Sequence, residues 1–371
     1  MKNRNIYLLN LLVFFNVSGI ISIILPFLTD NKFNLIDKCI VLCIGSFICI
    51  IVQVLCGLYS DKTNRFKRIF IVLYFIFVIA LIGMLNVNSN IMLIVFTSIT
   101  SGFTRIILSF LETWDLFINK ENYGRYRALG AFGYFIGALS LSFVFKNYNR
   151  LLLISIILVV SILIYYFISS YKDKVIEKKI ELSDIKELLM NKRYLLLLFT
   201  LFFIYSIGSV DQFIVIDKLI KLDAGKFAVG SKFALQAMFE IPVFYFMTNI
   251  LKKMKPINLL LLAIIGYSLK FFLYASFNSV FLIIATSILQ LVTLPLVMIS
   301  SKLIVNDEVK GNISSSAQMI TMAVFIGLSG IVMPIITTIV SMYFNLNASL
   351  YFTSFICVVP LASCLVYKKI K

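Results

Sequence analysis

Eight ionisable side chains stand inside or at the mouths of apolar runs: Arg105, Glu112, Asp115, Arg127, Asp211, Lys232, Glu240 and Lys270. A charge held at bilayer depth is costly unless it is paired or wetted, so each is a candidate functional group by default. The chemistry open to them is ion pairing, capture of a polar solute, and gain or loss of a proton by a carboxylate whose affinity is set by burial and neighbouring charge. Covalent chemistry finds little support. The 371 residues contain no His, which removes the commonest metal ligand and the usual proton carrier near neutral pH. Cys39, Cys43, Cys49, Cys56, Cys357 and Cys364 make no C-x-x-C pair and lie in or at the ends of apolar segments, as packing residues do. No nucleotide or metal motif accompanies them, so neither an enzyme nor a cofactor is expected.

Spacing groups these residues further. Arg105 and Glu112 are seven apart and share a helix face. Lys232, Gln236 and Glu240 step by four and form a polar stripe along another. At about 1.5 Å per residue, Arg105, Glu240 and Lys270 fall near the middle of their runs. Lys232 and Asp115 lie nearer the ends, where a side chain can snorkel to the interface. Four cations balance four anions, so mutual pairing that only ties helices together is the alternative to a solute or proton site.

The elements that must carry these charges are membrane helices. The chain is 61% hydrophobic and 14% charged, too little polar surface for a water-soluble particle of this size. Apolar residues fall in blocks of the length that crosses a bilayer, about 20 residues. Twelve spans are predicted, near 6–28, 36–58, 69–88, 90–116, 127–146, 150–170, 194–217, 227–250, 257–276, 279–301, 313–340 and 347–367. Met1 to Asp30 has the basic start of a signal peptide, but its apolar run is too long and has no small-residue cleavage site; it reads as the first span. With the N-terminus cytoplasmic, the inside segments hold 24 of the 34 Lys and Arg and the outside segments 7. That bias predicts both termini inside and an even number of spans. The net charge of +17 is spread over these short loops and forms no continuous stripe, so nucleic acid is not an expected partner. The longest polar segment, 171–193, divides the chain into halves at 1–170 and 194–371. Its middle, Leu182 to Leu189, has helical apolar spacing and is predicted to lie on the cytoplasmic surface. The fold class expected is an all-α membrane protein of two six-helix bundles.

After the second span comes Gly57-Leu58-Tyr59-Ser60-Asp61-Lys62-Thr63-Asn64-Arg65-Phe66-Lys67-Arg68. It resembles the signature loop of the major facilitator superfamily, G-x-x-x-D-[RK]-x-G-[RK]-[RK], with Asn64 where Gly is usual. By that resemblance Gly57, Asp61, Arg65, Lys67 and Arg68 form a gating loop. Tyr123-Gly124-Arg125-Tyr126-Arg127-Ala128-Leu129-Gly130-Ala131-Phe132-Gly133-Tyr134 is similar to the start of the fifth helix in the lactose-permease-like oligosaccharide and nucleoside proton symporters. There the second Arg of G-R-x-R binds substrate with a carboxylate of helix four, which implies Arg127 with either Glu112 or Asp115. Phe239-Glu240-Ile241-Pro242 resembles the same branch and also bacterial sugar-efflux transporters, and Lys270 falls where the symporters carry a membrane-embedded Arg. The tenth helix of the lactose permease carries a His and a Glu for proton coupling; Gln290-Leu291-Val292-Thr293-Leu294-Pro295-Leu296 has neither. Gly130, Gly133 and Gly137 make a small-residue face suited to close helix contact, and span five lacks the Gly-Pro motif of drug antiporters.

The function expected is secondary active transport of a small polar organic solute, sugar-like or nucleoside-like, coupled to H+ and working by alternating access. The other readings are an exporter of drugs or a peptide product, and a sensor without flux. The partners expected are the solute, the coupling proton and the lipid bilayer, with the chain a monomer in the cell membrane.

Overall fold

A computed structural model of the chain describes residues 3–119, 122–146, 149–171, 173, 190–308 and 314–369. Segment 182–189, predicted as a surface helix, lies outside the described residues, as does most of the linker between the halves. Every described element is helical, as lipid demands, since a spanning segment there must satisfy its own backbone groups.

Eleven continuous helices and one bent pair make twelve spans. They are α1 (Arg4–Asp30), α2 (Leu35–Thr63), α3 (Phe66–Asn86), α4 (Asn90–Ile118), α5 (Tyr123–Lys146) and α6 (Arg150–Ser169) in the first half. The second half contains α7 (Lys192–Lys221), α8 (Lys226–Tyr245 with Met247–Lys253, bent by 62°), α9 (Pro256–Ser276), α10 (Val280–Glu308), α11 (Ala317–Tyr343) and α12 (Leu346–Lys369). Side-chain amides of Asn34, Asn149, Asn191 and Asn345 start α2, α6, α7 and α12 by accepting from the backbone N–H groups of the first turn. These are the orphan donors a helix start leaves. With twelve crossings, both chain ends share one face of the molecule.

Burial sorts the helices into a core and a sheath. In α6 only Leu153, Ile157, Ile164 and Ile168 are buried, a single stripe at helical spacing, flanked by the half-buried Ile154, Ile156 and Val160, and the opposite face is exposed. Along α4 nearly every residue from Thr97 to Asp115 is buried. The outward residues are large and apolar, among them Phe75, Ile91, Leu151, Phe281, Tyr343 and Phe355, the surface a lipid-immersed bundle requires.

Helix contact in lipid is driven by close packing more than by water release, and glycines mark the contacts. Gly133 and Gly137 lie directly on the backbone carbonyls of Leu11 and Phe15, joining α5 to α1. A Cβ on Gly102 would come 2.5 Å from the carbonyl oxygen of Gly45, joining α4 to α2. Between the halves, α5 runs along α8: a Cβ on Gly124 would come 2.6 Å from the carbonyl oxygen of Phe244, and Gly230 packs on Ser142. On the opposite side α2 meets α11 through Gly327 on Ile50 and Gly330 on Ser46.

The signature-like loop is a clasp. Asn64 takes the left-handed conformation (φ 54°) and caps α2, its N–H donating to the carbonyl of Ser60 at 2.8 Å. This is the conformation that a helix C-terminus commonly demands of Gly and also accepts from Asn, so the departure at position 64 preserves the turn. Lys67 Nζ donates to the carbonyls of Ser169 and Tyr171 at 2.9 and 3.0 Å, while its backbone N–H donates to Asp173 Oδ1 at 3.0 Å. A cation thus sits at the C-terminus of α6 and an anion at the N-terminus of α3, each on the favourable end of the dipole. Asp61 and Gly57 are buried, Arg65 is half-buried and Arg68 is exposed.

Candidate functional site

Four of the helices that carry residues of the site depart from regular geometry. α7 is interrupted at Phe213, beside Asp211 and Gln212. In α10 a 3-10 stretch, Thr286–Val292, precedes Thr293 with ψ −106° and then Leu294-Pro295. Proline has no N–H to give and disfavours helix before itself; the disruption sits beside Gln290, whose side chain turns inward. In α11 a π stretch, Ala323–Leu328, adjoins Ser329 and Gly330; such bulges recur at functional positions. α8 breaks at Phe246, one turn after Pro242.

Between the halves lies a cavity with about 1100 Å³ of atom-free space, part of it open to solvent. Arg105 and Glu112 of α4, Arg127 and Tyr134 of α5, Asp211 and Gln212 of α7, Gln236 and Glu240 of α8, Tyr267 of α9 and Gln290 of α10 all line it. Apolar walls come from Phe14, Leu108, Phe233 and Met298 among others. Apolar walls with few placed polar groups are the usual make-up of a small-molecule site.

The charges form one linked chain. Lys302 Nζ lies 3.9 Å from Glu112 Oε2, and Glu112 Oε1 lies 3.0 Å from Arg127 Nε. Arg127 Nη2 reaches Glu240 Oε2 at 3.5 Å, which crosses from the first half to the second. Gln290 Nε2 donates to Glu240 Oε1 at 2.9 Å, and Lys270 Nζ donates to Gln290 Oε1 at 2.7 Å. Lys270 Nζ also meets Asp211 Oδ2 at 2.9 Å, and Lys232 Nζ meets Asp211 Oδ1 at 2.7 Å. Gln236 Nε2 donates to Asp211 Oδ2 at 2.6 Å. Lys232 and Lys270 have no exposed surface, and Lys302 is 1% exposed. At such depth a charge persists only when paired and hydrogen-bonded, so the cluster stands or falls as a unit. The Arg127 guanidinium lies between the rings of Phe14 and Phe244, 4.5 and 4.6 Å from their centroids, a favourable place for a cation. Its Nε is spent on Glu112, its Nη1 is buried without a hydrogen-bond partner among the described residues, and its Nη2 holds Glu240 through the longer of its two ion pairs.

Glu112 pairs with Arg127 and faces the cavity. Asp115 is buried one turn further on, with Oδ1 lacking a hydrogen-bond partner among the described residues, and it lies outside the cavity lining. Lys270 and Lys232 stand behind Asp211 and do not line the cavity themselves. Arg105, read with Glu240 and Lys270 as a midplane group, lines the cavity but stays out of the chain: its Nη1 donates to Ser46 Oγ at 2.6 Å.

Three further lysines at the ends of the predicted spans are buried. Lys302, one residue beyond the predicted span 279–301, falls within α10. Lys218, one residue beyond 194–217, and Lys38, near the start of 36–58, are each 4% exposed within α7 and α2. Lys218 Nζ donates to the terminal carbonyls of Tyr274 and Ala275 in α9 at 2.7 and 3.3 Å, which fills acceptors a helix end leaves open. Lys38 Nζ pairs with Asp217 Oδ1 at 2.7 Å, and Lys226 Nζ with Asp30 Oδ2 at 2.6 Å. Both pairs join the two halves at the face opposite the chain ends. Gln290 was noted only for the His and Glu that neighbouring positions lack; its two-sided amide is the link that joins the acidic and basic ends of the chain.

The family whose model matches residues 6–357 is described as the MFS_1 like family. Among solved structures, the nucleoside transporter NupG superposes with a TM-score of 0.75 at 16% identity, covering 100% of both chains. The E. coli fucose:proton symporter FucP gives 0.68 at 12% identity, covering 99% of this chain and 98% of that one. The human organic anion transporter MFSD10 gives 0.75 at 9% identity, covering 98% and 100%. At these identities the likeness is one of fold. No curated protein sequence matches the chain.

Proposed function

The chain belongs to the MFS_1 like family, major facilitator transporters of twelve membrane helices, and from that premise we propose that it is a proton-coupled carrier of a small polar organic solute. It is a multi-pass membrane transporter and not an enzyme. The bundles at 1–170 and 194–371 turn about the central cavity, joined by 171–193, with both chain ends in the cytoplasm of a cell whose outer boundary membrane it spans. Sugar-like and nucleoside-like solutes are the first candidates, in keeping with what NupG and FucP are described as carrying.

One observation carries this reading: Arg127 of the first half bridges Glu112 of its own half and Glu240 of the other, at the cavity wall. The Arg127–Glu240 contact, at 3.5 Å, is the longer of the two and the one that spans the moving parts. A proton taken by Glu240 removes its charge and releases that link, leaving Arg127 held by Glu112. Nη2 of Arg127, released from Glu240, then meets a hydroxyl of the solute. Gln290 keeps Glu240 in contact with Lys270 and Asp211, so a change at Glu240 reaches the rest of the second half. Binding and protonation are thus coupled through one side chain, which alternating access by population shift requires.

Purified protein in proteoliposomes tests this with a labelled panel of neutral sugars, sugar acids and nucleosides. Wild type accumulates solute under an imposed pH gradient. Glu240→Gln is expected to exchange solute across the membrane at equilibrium and to lose accumulation. Gradient-driven accumulation retained in Glu240→Gln would remove Glu240 from the coupling step.

A further inference from the structure

The central charges of the bundle balance only if one residue is left out. Lys232, Lys270, Arg127 and Lys302 face Asp211, Glu240, Glu112 and Asp115, four against four, all buried. The cross-half pairs Lys38–Asp217 and Lys226–Asp30 balance themselves near one face. Arg105 remains. It sits in the middle of α4, 15 residues after Asn90 and 13 before Ile118, which is about 20 Å of helix on either side. Among the described residues no carboxylate lies within ion-pair distance of it, and its side chain contributes to both the large cavity and the smaller one beside it. Ser46 takes one N–H at 2.6 Å, and Gly330 of α11 lets the guanidinium lie flush against the second half. A guanidinium has five N–H donors in a planar fork; Ser46 takes one of them, and the side chain that carries the rest lines both cavities.

A cation at this depth without an anion is the expensive case. The neighbouring acids are already committed: Glu112 to Arg127 and Lys302, and Asp211 to Lys232 and Lys270. Ser109, Ser209, Gln212 and Ser329 also line this space; they are neutral and can hold hydroxyls, while none supplies charge. The protein therefore leaves one positive charge for the ligand to neutralise, and a planar fork matches a planar two-oxygen group.

We propose that the transported solute bears a single carboxylate, and that Arg105 is its counter-ion. This rests on the reading of the cavity as the site for a polar organic solute and narrows that reading to an anionic member, such as a sugar acid. A single guanidinium suits the monoanion better than a phosphate dianion, which would call for a second free cation.

The test is thermal stabilisation of the full-length protein in detergent, since a ligand that binds only the folded state raises its apparent stability. The probes are matched: glucose and fucose, uridine, glucuronate and galacturonate, glucose 6-phosphate, and a lipophilic cation, each at the same concentration. Stabilisation by a uronate, absent with the neutral sugars, is the expected result. Arg105→Gln is expected to lose that preference and Arg105→Lys, which keeps the charge without the fork, to retain a reduced one. Phe75→Ala, on the lipid-facing surface and away from the cavity, serves as a folding control. Stabilisation by neutral sugar or nucleoside alone, unchanged in Arg105→Gln, overturns the carboxylate and leaves the polar-solute reading standing. Stabilisation by the phosphate ester alone overturns the assignment of a carboxylate. A response to the lipophilic cation alone, or to none of the probes, overturns both.

Discussion

Asp211 is the residue on which the interior depends most. Two fully buried ammonium groups, Lys232 and Lys270, end on its two oxygens at 2.7 and 2.9 Å, and Gln236 donates to one of them. Asp211→Asn is expected to lower stability by about 3–5 kcal/mol, the cost of leaving a buried charge unpaired. Denaturation of the purified protein would read this as a large fall in Tm. Asp211→Asn combined with Lys270→Met, which removes one stranded charge, should recover part of the loss. A fall no larger in Asp211→Asn than in a lipid-facing substitution such as Phe75→Ala would show that the pairs carry no structural load. The sequence made the charged residues legible as a set, because any ionisable group inside an apolar run stands out by type alone. It could not say who pairs with whom, since Glu112 and Asp115 differ by one turn of the same helix. Lys302 escaped because it follows Ser300 and Ser301: a polar run at the end of a span reads as the start of a loop. What keeps it in the helix is Glu112, supplied by α4, and no window along the sequence contains both.

Among elements, the contact of α5 with α1 is the most exacting. Gly133 and Gly137 put α5 against the carbonyls of Leu11 and Phe15, and a backbone carbonyl cannot move aside as a side chain can. Gly133→Val should push α5 outward and cost at least about 1–3 kcal/mol, as overpacking does. It should also displace Arg127, which lies on the same helix, from Glu112. Lowered Tm together with lost solute binding is the expected pair of outcomes; normal binding would mean that the contact tolerates separation. The twelve helices were legible because lipid enforces their length, and the small-residue face of α5 was legible from the spacing of its glycines. The internal breaks were not. Pro242 and Pro295 advertise irregularity, but the 62° bend at Phe246 and the 3-10 stretch around Gln290 depend on what the neighbouring helices can fill. The π stretch of α11 has no comparable sequence mark.

For the whole molecule, the two halves are held at the face opposite the chain ends by Lys38–Asp217 and Lys226–Asp30. These pairs must part if the cavity is to open on that side. Asp217→Lys is expected to favour opening there. With Ser209→Cys, which lines the cavity, in a background without the native cysteines, labelling by a membrane-impermeant maleimide from that side should rise by about tenfold or more, because a broken buried pair shifts the balance by about 3–5 kcal/mol. Adding Lys38→Asp, which restores the pair in reverse, should bring the rate back down. An unchanged rate in Asp217→Lys would mean the pair does not hold that side closed. None of this was visible beforehand: Lys38 and Asp217 are 179 residues apart, and only the packing of α2 on the second half brings them together.

The lone guanidinium of Arg105 has an electrical consequence. Displacing one elementary charge through the whole membrane potential is worth about 2.3 kcal/mol per 100 mV. A carrier whose central cluster is otherwise neutral feels that field through Arg105 when empty; when loaded, the carboxylate cancels Arg105 but the proton on Glu240 restores one positive charge. Both legs then carry the same charge in opposite directions, so one proton with one monoanion makes an electroneutral cycle, and the pH gradient rather than the membrane potential drives accumulation.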